Sequence, residues 1–206
     1  MGNPKVSVVC LCYNQARFVS ETIQSVFDQT YSNIQLIVID DCSTDQSVQV
    51  IEESLQGKDV LFIKNEENMG NCSAFNKALP HAMGEYIIDL AADDILLPNR
   101  IEEGVKVFQQ FGPLYGVIYS NAQLIDEQGA LIRLFYTQKA LQDVPTGDVF
   151  RFVLQKYIYC PPTIMARKQV YDELGGYDEN LAYEDFDFIV RASRTWKFGL
   201  DEKVLV

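Results

Sequence analysis

The chain has 206 residues, 48% of them apolar and 22% charged, and a formal net charge of −12 at pH 7. This composition is typical of a globular protein with one domain or two small ones and excludes a disordered chain. The negative charge argues against a nucleic-acid partner, because binding such a polymer requires a basic surface. No apolar run approaches the roughly 20 residues that cross a bilayer. The five cysteines form no Cys-x-x-Cys pair, so we expect no disulfide framework, no zinc site and a cytoplasmic location.

The first 94 residues alternate between buried strands and amphipathic helices. Near-continuous apolar runs predict strands over 5–13, 34–39, 60–64 and from Gly84 to Asp93-Asp94. Apolar residues at helical spacing predict helices over about 18–29, 43–55 and 74–82. A Ser43–Gln46 capping box is expected to open the second helix, and Gly84 to stop the third. The order β-α-β-α-β-α-β predicts a parallel sheet covered by helices.

The second half is less regular. The predicted elements are a helix over 101–111 closed by Gly112-Pro113, a hairpin-like pair of strands over 114–124 and 131–136, a polar mobile loop over 137–145, a helix over 149–157, an extended segment over 160–166, and helices over 167–175 and 183–194. No linker or repeat divides the chain. We therefore expect a single domain over 1–206, with halves at 1–96 and 97–206.

Two adjacent carboxylates, Asp93 and Asp94, follow the fourth predicted strand, and Pro98 prevents that strand from continuing. Open α/β sheets bind ligands at the carboxyl ends of their parallel strands. Paired acids at such an end suit a divalent cation held between protein and phosphate oxygens. The alternative is that either acid caps a turn before the next helix.

Three further residues are candidates for the same site. Asp41 ends the second strand at the same edge, where it can accept hydrogen bonds from a ribose or a base. Tyr13 ends the first strand and can stack on a base, or else cover the core. Asp185 opens a late helix, either as a general base for an attacking hydroxyl or as an acid favoured by the helix dipole.

These residues belong to an ordered set of motifs that resembles the family 2 glycosyltransferases. The motifs are 6–9 with Tyr13-Asn14, then 21–26, 29–31, 40–45, 68–70 with Asn76, 84–86, Asp93-Asp94, 175–179 and Glu184-Asp185. The resemblance covers essentially the whole chain.

The resemblance implies a GT-A type α/β fold: a Rossmann-like, mostly parallel central sheet flanked by helices, with a nucleotide-sugar-binding half and a smaller irregular acceptor-side half. It also implies sugar transfer from a nucleotide donor with inversion at the anomeric carbon. Asp41 would bind the base and Tyr13 would stack on it. Asp93 and Asp94 match the Asp-x-Asp-type motif that holds ribose and the metal–diphosphate, with Mn²⁺ or Mg²⁺ as cofactor. Asp185 matches the catalytic base.

The chain departs from the family pattern in four places. Ala91 stands where the fuller motif has its first acid, Leu11 replaces a frequent proline or threonine, and Phe75 replaces a frequent basic residue before Asn76. The chain also ends at Val206, before the region where many members place a metal-binding histidine or a Gln-x-x-Arg-Trp motif. Either it is part of a longer protein or another segment completes the site.

We therefore expect an inverting, metal-dependent glycosyltransferase that uses a nucleotide sugar, most simply a UDP-sugar, in polysaccharide biosynthesis. The expected acceptor is a glycan or lipid-linked glycan, held by walls at 136–145 and 157–163 and reached by peripheral contact with the inner face of a membrane. The alternatives are a non-catalytic nucleotide- or glycan-binding module, which Ala91 favours, and a sugar nucleotidyltransferase. The last usually needs a basic glycine-rich loop near the start, and Asn14-Gln15-Ala16-Arg17 is not one.

Overall fold

The structure, a computed structural model, describes residues 2–156, 158–181 and 183–206. Within these residues the strands are β1 (Val6–Cys12), β2 (Ile34–Asp40), β3 (Leu61–Lys64), β4 (Tyr86–Ala91), β5 (Tyr115–Asn121), β6 (Gln123–Ile125), β7 (Leu131–Leu134), β8 (Met165–Arg167) and β9 (Lys197–Val204). The α-helices are α1 (Val19–Phe27), α2 (Ser47–Ser54), α3 (Asn71–Ala78), α4 (Arg100–Phe111), α5 (Gln138–Leu141), α6 (Phe150–Val153), α7 (Lys168–Leu174) and α8 (Glu184–Ser193).

Seven strands form one sheet in the order β3-β2-β1-β4-β8-β5-β9, and β6 pairs with β7 in a separate antiparallel ribbon. Among the described strands of the large sheet, β8 alone runs antiparallel to its neighbours. The predicted mostly parallel α/β sheet is therefore confirmed. Because β2 lies on one side of β1 and β4 on the other, the strand order reverses at β1. A ligand crevice is expected at the carboxyl ends of β1 and β4 for this reason.

Both faces of the central strands are buried, which explains their near-continuous apolar sequences. Every residue of β1 is buried. Val8 and Cys10 pack with residues of α1, α2 and α4 on one face, whereas Val9 and Leu11 pack with residues of α3, α7 and α8 on the other. The loops that follow β1, β2 and β4 are thus anchored to a core on both sides.

The predicted capping box at the start of α2 does not form. Ser43 instead bonds back to Asp40, with its N–H donating to Oδ1 at 2.9 Å and its hydroxyl to Oδ2 at 2.5 Å. Asp45 accepts from the N–H and the hydroxyl of Ser47, so the helix begins four residues later than predicted. Ser43 therefore forms its hydrogen bonds within the turn after β2 instead of capping the helix.

Gly84 has a different role from the predicted helix stop. α3 ends at Ala78 and continues as a 3₁₀ turn over Leu79–His81. A Cβ on Gly84 would lie 2.4 Å from the backbone nitrogen of Ser7. The glycine therefore permits the chain to pass close to β1 before β4 begins.

The second half differs most from the sequence prediction. The strand predicted over 114–124 divides into β5, which joins the main sheet, and β6, which pairs with β7. The loop over 137–145 contains α5, capped by the Thr137 hydroxyl. The helix predicted over 149–157 is only α6, and its predicted last residue, Tyr157, lies outside the described residues. The extended segment over 160–166 contains a 3₁₀ turn at Pro161–Thr163. β9 was not predicted.

None of the helices in the described ranges is long and apolar enough to cross a membrane.

Candidate active site

The carboxyl ends of β1 and β4 open into a cleft of about 240 Å³. Leu11 and Ala91, which are register partners at these ends, both line it. Four carboxylates from both halves of the chain also line it: Asp89, Asp94, Glu184 and Asp185. The lining also includes Pro161 and Pro162. The crevice expected from the strand order is therefore present, and it is acidic.

A second pocket adjoins this cleft, because Leu11 and Asn71 line both. The second pocket is lined by Tyr13 and Asp41. Four of the five predicted site residues are thus distributed over two neighbouring pockets: Tyr13 and Asp41 in one, Asp94 and Asp185 in the other.

Asp94 lies in the turn after β4, where its N–H donates to the carbonyl of Ala91 at 3.1 Å. Helix α1 holds the surrounding loop: the Thr22 hydroxyl donates to the carbonyl of Ala92 at 2.8 Å. Burial raises the pKa of the Asp94 carboxyl to about 7, and the charge of Asp93 adds to the rise. A cation in the cleft would oppose this rise by favouring the charged form.

Asp93 faces a different pocket from Asp94. Its Oδ2 accepts a hydrogen bond from Gln15 Nε2 at 3.2 Å, and it lines a pocket between the start of α1 and the β6–β7 turn. The prediction that Asp93 shares a metal site with Asp94 stays a prediction.

Asp41 organises the loop that leads into α3. Its carboxylate is buried and accepts hydrogen bonds from Asn65 Nδ2 at 2.7 Å, from the N–H of Met69 at 3.0 Å and from the N–H of Gly70 at 2.8 Å. A carboxylate has about four acceptor positions. These three internal donors leave room for one donor from a ligand.

Tyr13 is 46% exposed, which favours the stacking interpretation over one in which its ring covers the core. The loops after β1 and β2 are joined beside it. Asn14 adopts a left-handed φ of 55°, its N–H donates to Ser43 Oγ, and its Oδ1 accepts from the N–H of Thr44. The position of Tyr13 is therefore set by two loops.

Asp185 lies in the first turn of α8 and lines the cleft. Its neighbour Glu184 accepts a hydrogen bond from Asn71 Nδ2 at 2.7 Å, which ties the start of α8 to the start of α3. Asp187 instead forms an ion pair with Arg191 at 2.6 Å. The helix dipole accounts for all three acids in this turn, but only Glu184 and Asp185 face the cleft.

The sequence matches the family model described as "Glycosyl transferase family 2" over residues 7–175. The chain belongs to glycosyl transferase family 2. It is 31% identical, over 211 residues, to an uncharacterized glycosyltransferase of Methanocaldococcus jannaschii, and the match covers 100% of this chain and 71% of that protein. The predicted resemblance is confirmed, and the chain is a glycosyltransferase domain.

Two solved structures share the fold of this family 2 domain. S. aureus TarS gives a TM-score of 0.78 at 21% identity, over 98% of this chain and 36% of that one. TarS has also been solved with UDP and with UDP-GlcNAc. The second is the mannosyltransferase PcManGT from Pyrobaculum calidifontis in complex with GDP-Man and Mn²⁺. It gives a TM-score of 0.75 at 18% identity, and the match covers 98% of this chain and 55% of that one. The predicted GT-A type fold is confirmed.

The departures from the family 2 pattern have distinct structural consequences. Leu11 lines both pockets, so it forms the wall between the predicted base site and the acidic cleft. Phe75 is fully buried, with its ring 5.1 Å from that of Tyr171 and 4.6 Å from that of Tyr177. Position 75 therefore faces the core rather than the cleft. Ala91 is exposed at the cleft wall.

Asp89 is a cleft carboxylate that the sequence analysis did not identify. The side chain lies on the same face of β4 as Ala91, because strand residues alternate. Its Oδ2 accepts a hydrogen bond from the hydroxyl of Tyr177 at 2.9 Å. Asn76 holds Tyr177 by accepting from its N–H and donating to its carbonyl, both at 2.9 Å. The available signal was a single carboxylate within an otherwise apolar strand.

The donor set of the cleft fits a cation that substrate oxygens help to hold. None of the described residues that line it is Lys, Arg or His, whereas four are carboxylates. In the described ranges, no three His, Cys, Asp or Glu side chains are grouped so that they could hold a metal. Mg²⁺ and Mn²⁺ at phosphate-transfer sites need only one or two carboxylates besides phosphate oxygens and water. Asp94 is placed to be such a ligand.

Proposed function

We propose that this family 2 domain transfers a sugar from a nucleotide donor, most simply a UDP-sugar, to a hydroxyl acceptor with inversion at the anomeric carbon. The complexes of TarS with UDP-GlcNAc and of PcManGT with GDP-Man and Mn²⁺ support a nucleotide sugar as the donor class. The domain assignment of 1–206, with donor residues in 1–96 and acceptor residues in 97–206, is part of this proposal.

The observation that carries the proposal is the pair of adjoining pockets at the strand-order reversal. One offers an exposed aromatic ring and a partly satisfied carboxylate, Tyr13 and Asp41, which suit a base. The other offers Asp94 and Asp185 on opposite elements. A nucleotide sugar whose base occupies the first pocket extends its diphosphate and sugar past Leu11 and Asn71 into the second.

The reaction is a single displacement in which Asp185 is the general base. The acceptor oxygen attacks the anomeric carbon, its proton passes to the Asp185 carboxylate, and the bond from that carbon to the diphosphate breaks. The electron pair of the broken bond leaves with the nucleoside diphosphate. Asp185 on α8 and Asp94 after β4 line the cleft from different elements, which suits attack from the side opposite the leaving group, and therefore inversion.

Asp94, with Asp93 as a predicted second ligand, would hold the divalent ion. When bound, Mn²⁺ or Mg²⁺ would supply positive charge to the departing diphosphate. The charge of the cleft supports this role, because a diphosphate that enters it meets four carboxylates, and none of the described lining residues is basic.

The acceptor is proposed to be a glycan or lipid-linked glycan that enters from the second half of the chain. Of the predicted acceptor walls, Pro161 and Pro162 line the cleft, whereas Tyr136 and Tyr159 are buried in the core. Peripheral contact with a membrane-bound acceptor, at the cytoplasmic face, remains part of this proposal.

Incubation with UDP-sugars and GDP-mannose in the presence of Mn²⁺, followed by measurement of the released nucleoside diphosphate, tests the function. Slow donor hydrolysis that is lost in Asp185→Asn is expected. Nucleotide binding without any release, in the presence of candidate acceptors, would favour a non-catalytic binding module. Release of pyrophosphate from a nucleoside triphosphate and a sugar phosphate would favour a sugar nucleotidyltransferase.

A further inference from the structure

Asp89 lies at the floor of the acidic cleft. Its Cα stands two residues before that of Ala91 on β4, roughly 6.6 Å further from the strand end. Both side chains lie on the face that packs against α3, α7 and α8, and both line the cleft with Asp94 and Asp185. Because Ala91 has only a methyl group, space above the Asp89 carboxyl remains open.

The carboxyl of Asp89 accepts fewer internal hydrogen bonds than either acid at the end of β2. Asp41 accepts three hydrogen bonds and Asp40 accepts two, all from neighbouring loop groups. Among the described residues, Asp89 accepts one, from the Tyr177 hydroxyl at 2.9 Å. Most of its acceptor capacity is thus left for a ligand in the cleft.

A carboxyl at this position is unfavourable for folding alone. Burial raises its pKa to about 7, despite the hydrogen bond from Tyr177, and the charges of Glu184 and Asp94 add to the rise. An apolar side chain would fill the same floor without this electrostatic cost. Polar groups that oppose stability in a cleft are characteristic of functional sites.

The Tyr177 hydroxyl is held in place by contacts of the Tyr177 backbone and ring with residues of α3 and α8. Asn76 fixes the backbone of Tyr177 on both sides, and Gly176 has a φ of +82° with Asn76 Oδ1 only 2.3 Å from where a Cβ would lie. The Tyr177 ring packs on Phe75 and Phe188. The orientation of the Asp89 carboxyl is therefore imposed by the turn over 175–179.

We propose that Asp89 is a specificity-determining residue that accepts a hydrogen bond from a hydroxyl group of the transferred sugar. This inference rests on the proposed function. Asp94 stands at the strand end, where the diphosphate is placed, and Asp185 stands on the acceptor side, so the sugar ring lies between them and above Asp89. Tyr177 positions the carboxyl and keeps one of its oxygens engaged, which leaves the other to the sugar.

The test compares nucleotide with nucleotide-sugar affinity in Asp89→Asn. Calorimetry with Mn²⁺ would first identify which donor the parent binds most tightly among UDP-GlcNAc, UDP-glucose, UDP-galactose and GDP-mannose. The affinity for that donor is then compared with the affinity for its nucleoside diphosphate, which is UDP for the first three and GDP for GDP-mannose. We expect Asp89→Asn to weaken binding of the sugar donor at least 10-fold while the nucleoside diphosphate stays within about twofold. The preference of the parent among epimeric donors should also be lost in Asp89→Asn, because a site that hydrogen-bonds one hydroxyl strongly rejects analogues that lack it.

Two further variants separate sugar recognition from a structural role. Tyr177→Phe should weaken donor binding less than Asp89→Asn, since it removes the positioning bond and leaves the acceptor. Asp172→Asn, an exposed carboxyl on α7, should change neither affinity. Equal losses for donor and nucleoside diphosphate, a change in Mn²⁺ affinity alone, or unchanged donor affinity in Asp89→Asn would overturn the inference. If the parent binds nucleoside diphosphates but no nucleotide sugar, the proposed function is wrong, and this inference, which rests on it, is wrong as well.

Discussion

At the scale of single residues, Asp185 is the position where two interpretations predict different results. Asp185 is the second residue of α8 and not its N-cap, so asparagine there loses only the modest interaction of a negative charge with the helix dipole, but it accepts no proton at neutral pH. We expect Asp185→Asn to lower transfer, or donor hydrolysis, by about 10²–10⁴-fold with donor affinity nearly unchanged.

Asp187→Asn is the matched control for Asp185, because Asp187 lies in the same turn of α8 but pairs with Arg191. It should lower stability and spare the rate per folded molecule. Comparable rate losses in both variants, or full activity in Asp185→Asn, would contradict the role of Asp185.

Asp41 accepts hydrogen bonds that hold its loop and is also proposed to contact the base of the ligand. Two variants distinguish these roles. Asp41→Ala should cost roughly 1.5–3 kcal/mol of nucleotide affinity through the loss of a charge-assisted hydrogen bond. Asn65→Ala disturbs the same loop, because Asn65 donates to Asp41 at 2.7 Å, yet it leaves the carboxylate in place. Calorimetry with UDP should show a smaller loss in Asn65→Ala. Equal losses would mean that Asp41 acts only by holding the loop.

The partly buried carboxyl of Asp89 also predicts a pH dependence of stability. Its pKa is about 7 in the folded protein, against an ordinary value of 3.8, so between these values the folded state holds a proton that the unfolded state has lost. The contribution of this carboxyl to the unfolding free energy is therefore fully present below about pH 4 and is lost as the pH rises through about 7. Urea unfolding in EDTA should therefore show a smaller decline in unfolding free energy from pH 5 to 8 in Asp89→Asn than in the parent. Parallel curves would contradict the raised pKa.

At the scale of elements, one polar residue of α3 holds the turn between α7 and α8. Asn76 bonds the backbone of Tyr177 and the carboxylate of Glu179. Asn76→Ala removes these bonds and leaves partly buried groups unpaired, so we expect a loss of about 1–3 kcal/mol of unfolding free energy. Gln169→Ala, which removes an exposed bond on α7, should change stability by less than about 0.5 kcal/mol. Urea unfolding measures both, and similar small effects would show that the turn is held by its own backbone.

Among the strands, the sequence signal is strongest for those that are buried on both faces. β1, β2 and β4 have this property, so their sequences are nearly continuous apolar runs. β9 (Lys197–Val204) is an edge strand with four charged residues, and only Phe198, Gly199 and Asp201 are buried within it. No apolar run or strict alternation marks such a strand. The helices α5 and α6 have four residues each, too few to show a period.

The site was predictable to the extent that strand ends define it. Tyr13, Asp41 and Asp94 all follow parallel strands, and the topology alone brings them to one edge. Asp89 was not predictable in this way, because its partner Tyr177 is 88 positions away. The opposite directions of Asp93 and Asp94 depend on the turn after β4, which Gln15 and α1 shape through contacts that adjacent residues do not reveal.

At the scale of the whole molecule, the net charge of −12 and the acidic cleft together oppose an anionic donor. We therefore expect a nucleoside diphosphate to bind this protein more tightly when a cation accompanies the phosphates. The charge of the whole domain and the charge of the cleft lead to the same expectation.

The most direct test of the central claim is calorimetry of UDP-sugar binding with Mn²⁺ and with EDTA, in the parent, Asp94→Asn and Asp93→Asn. We expect tight binding only with Mn²⁺ in the parent and loss of most of the metal effect in Asp94→Asn. Asp93→Asn should retain more of that effect, because Asp93 lines the neighbouring pocket. Equal affinity in EDTA, or a full metal effect in Asp94→Asn, would contradict a cleft that binds its donor through a divalent ion.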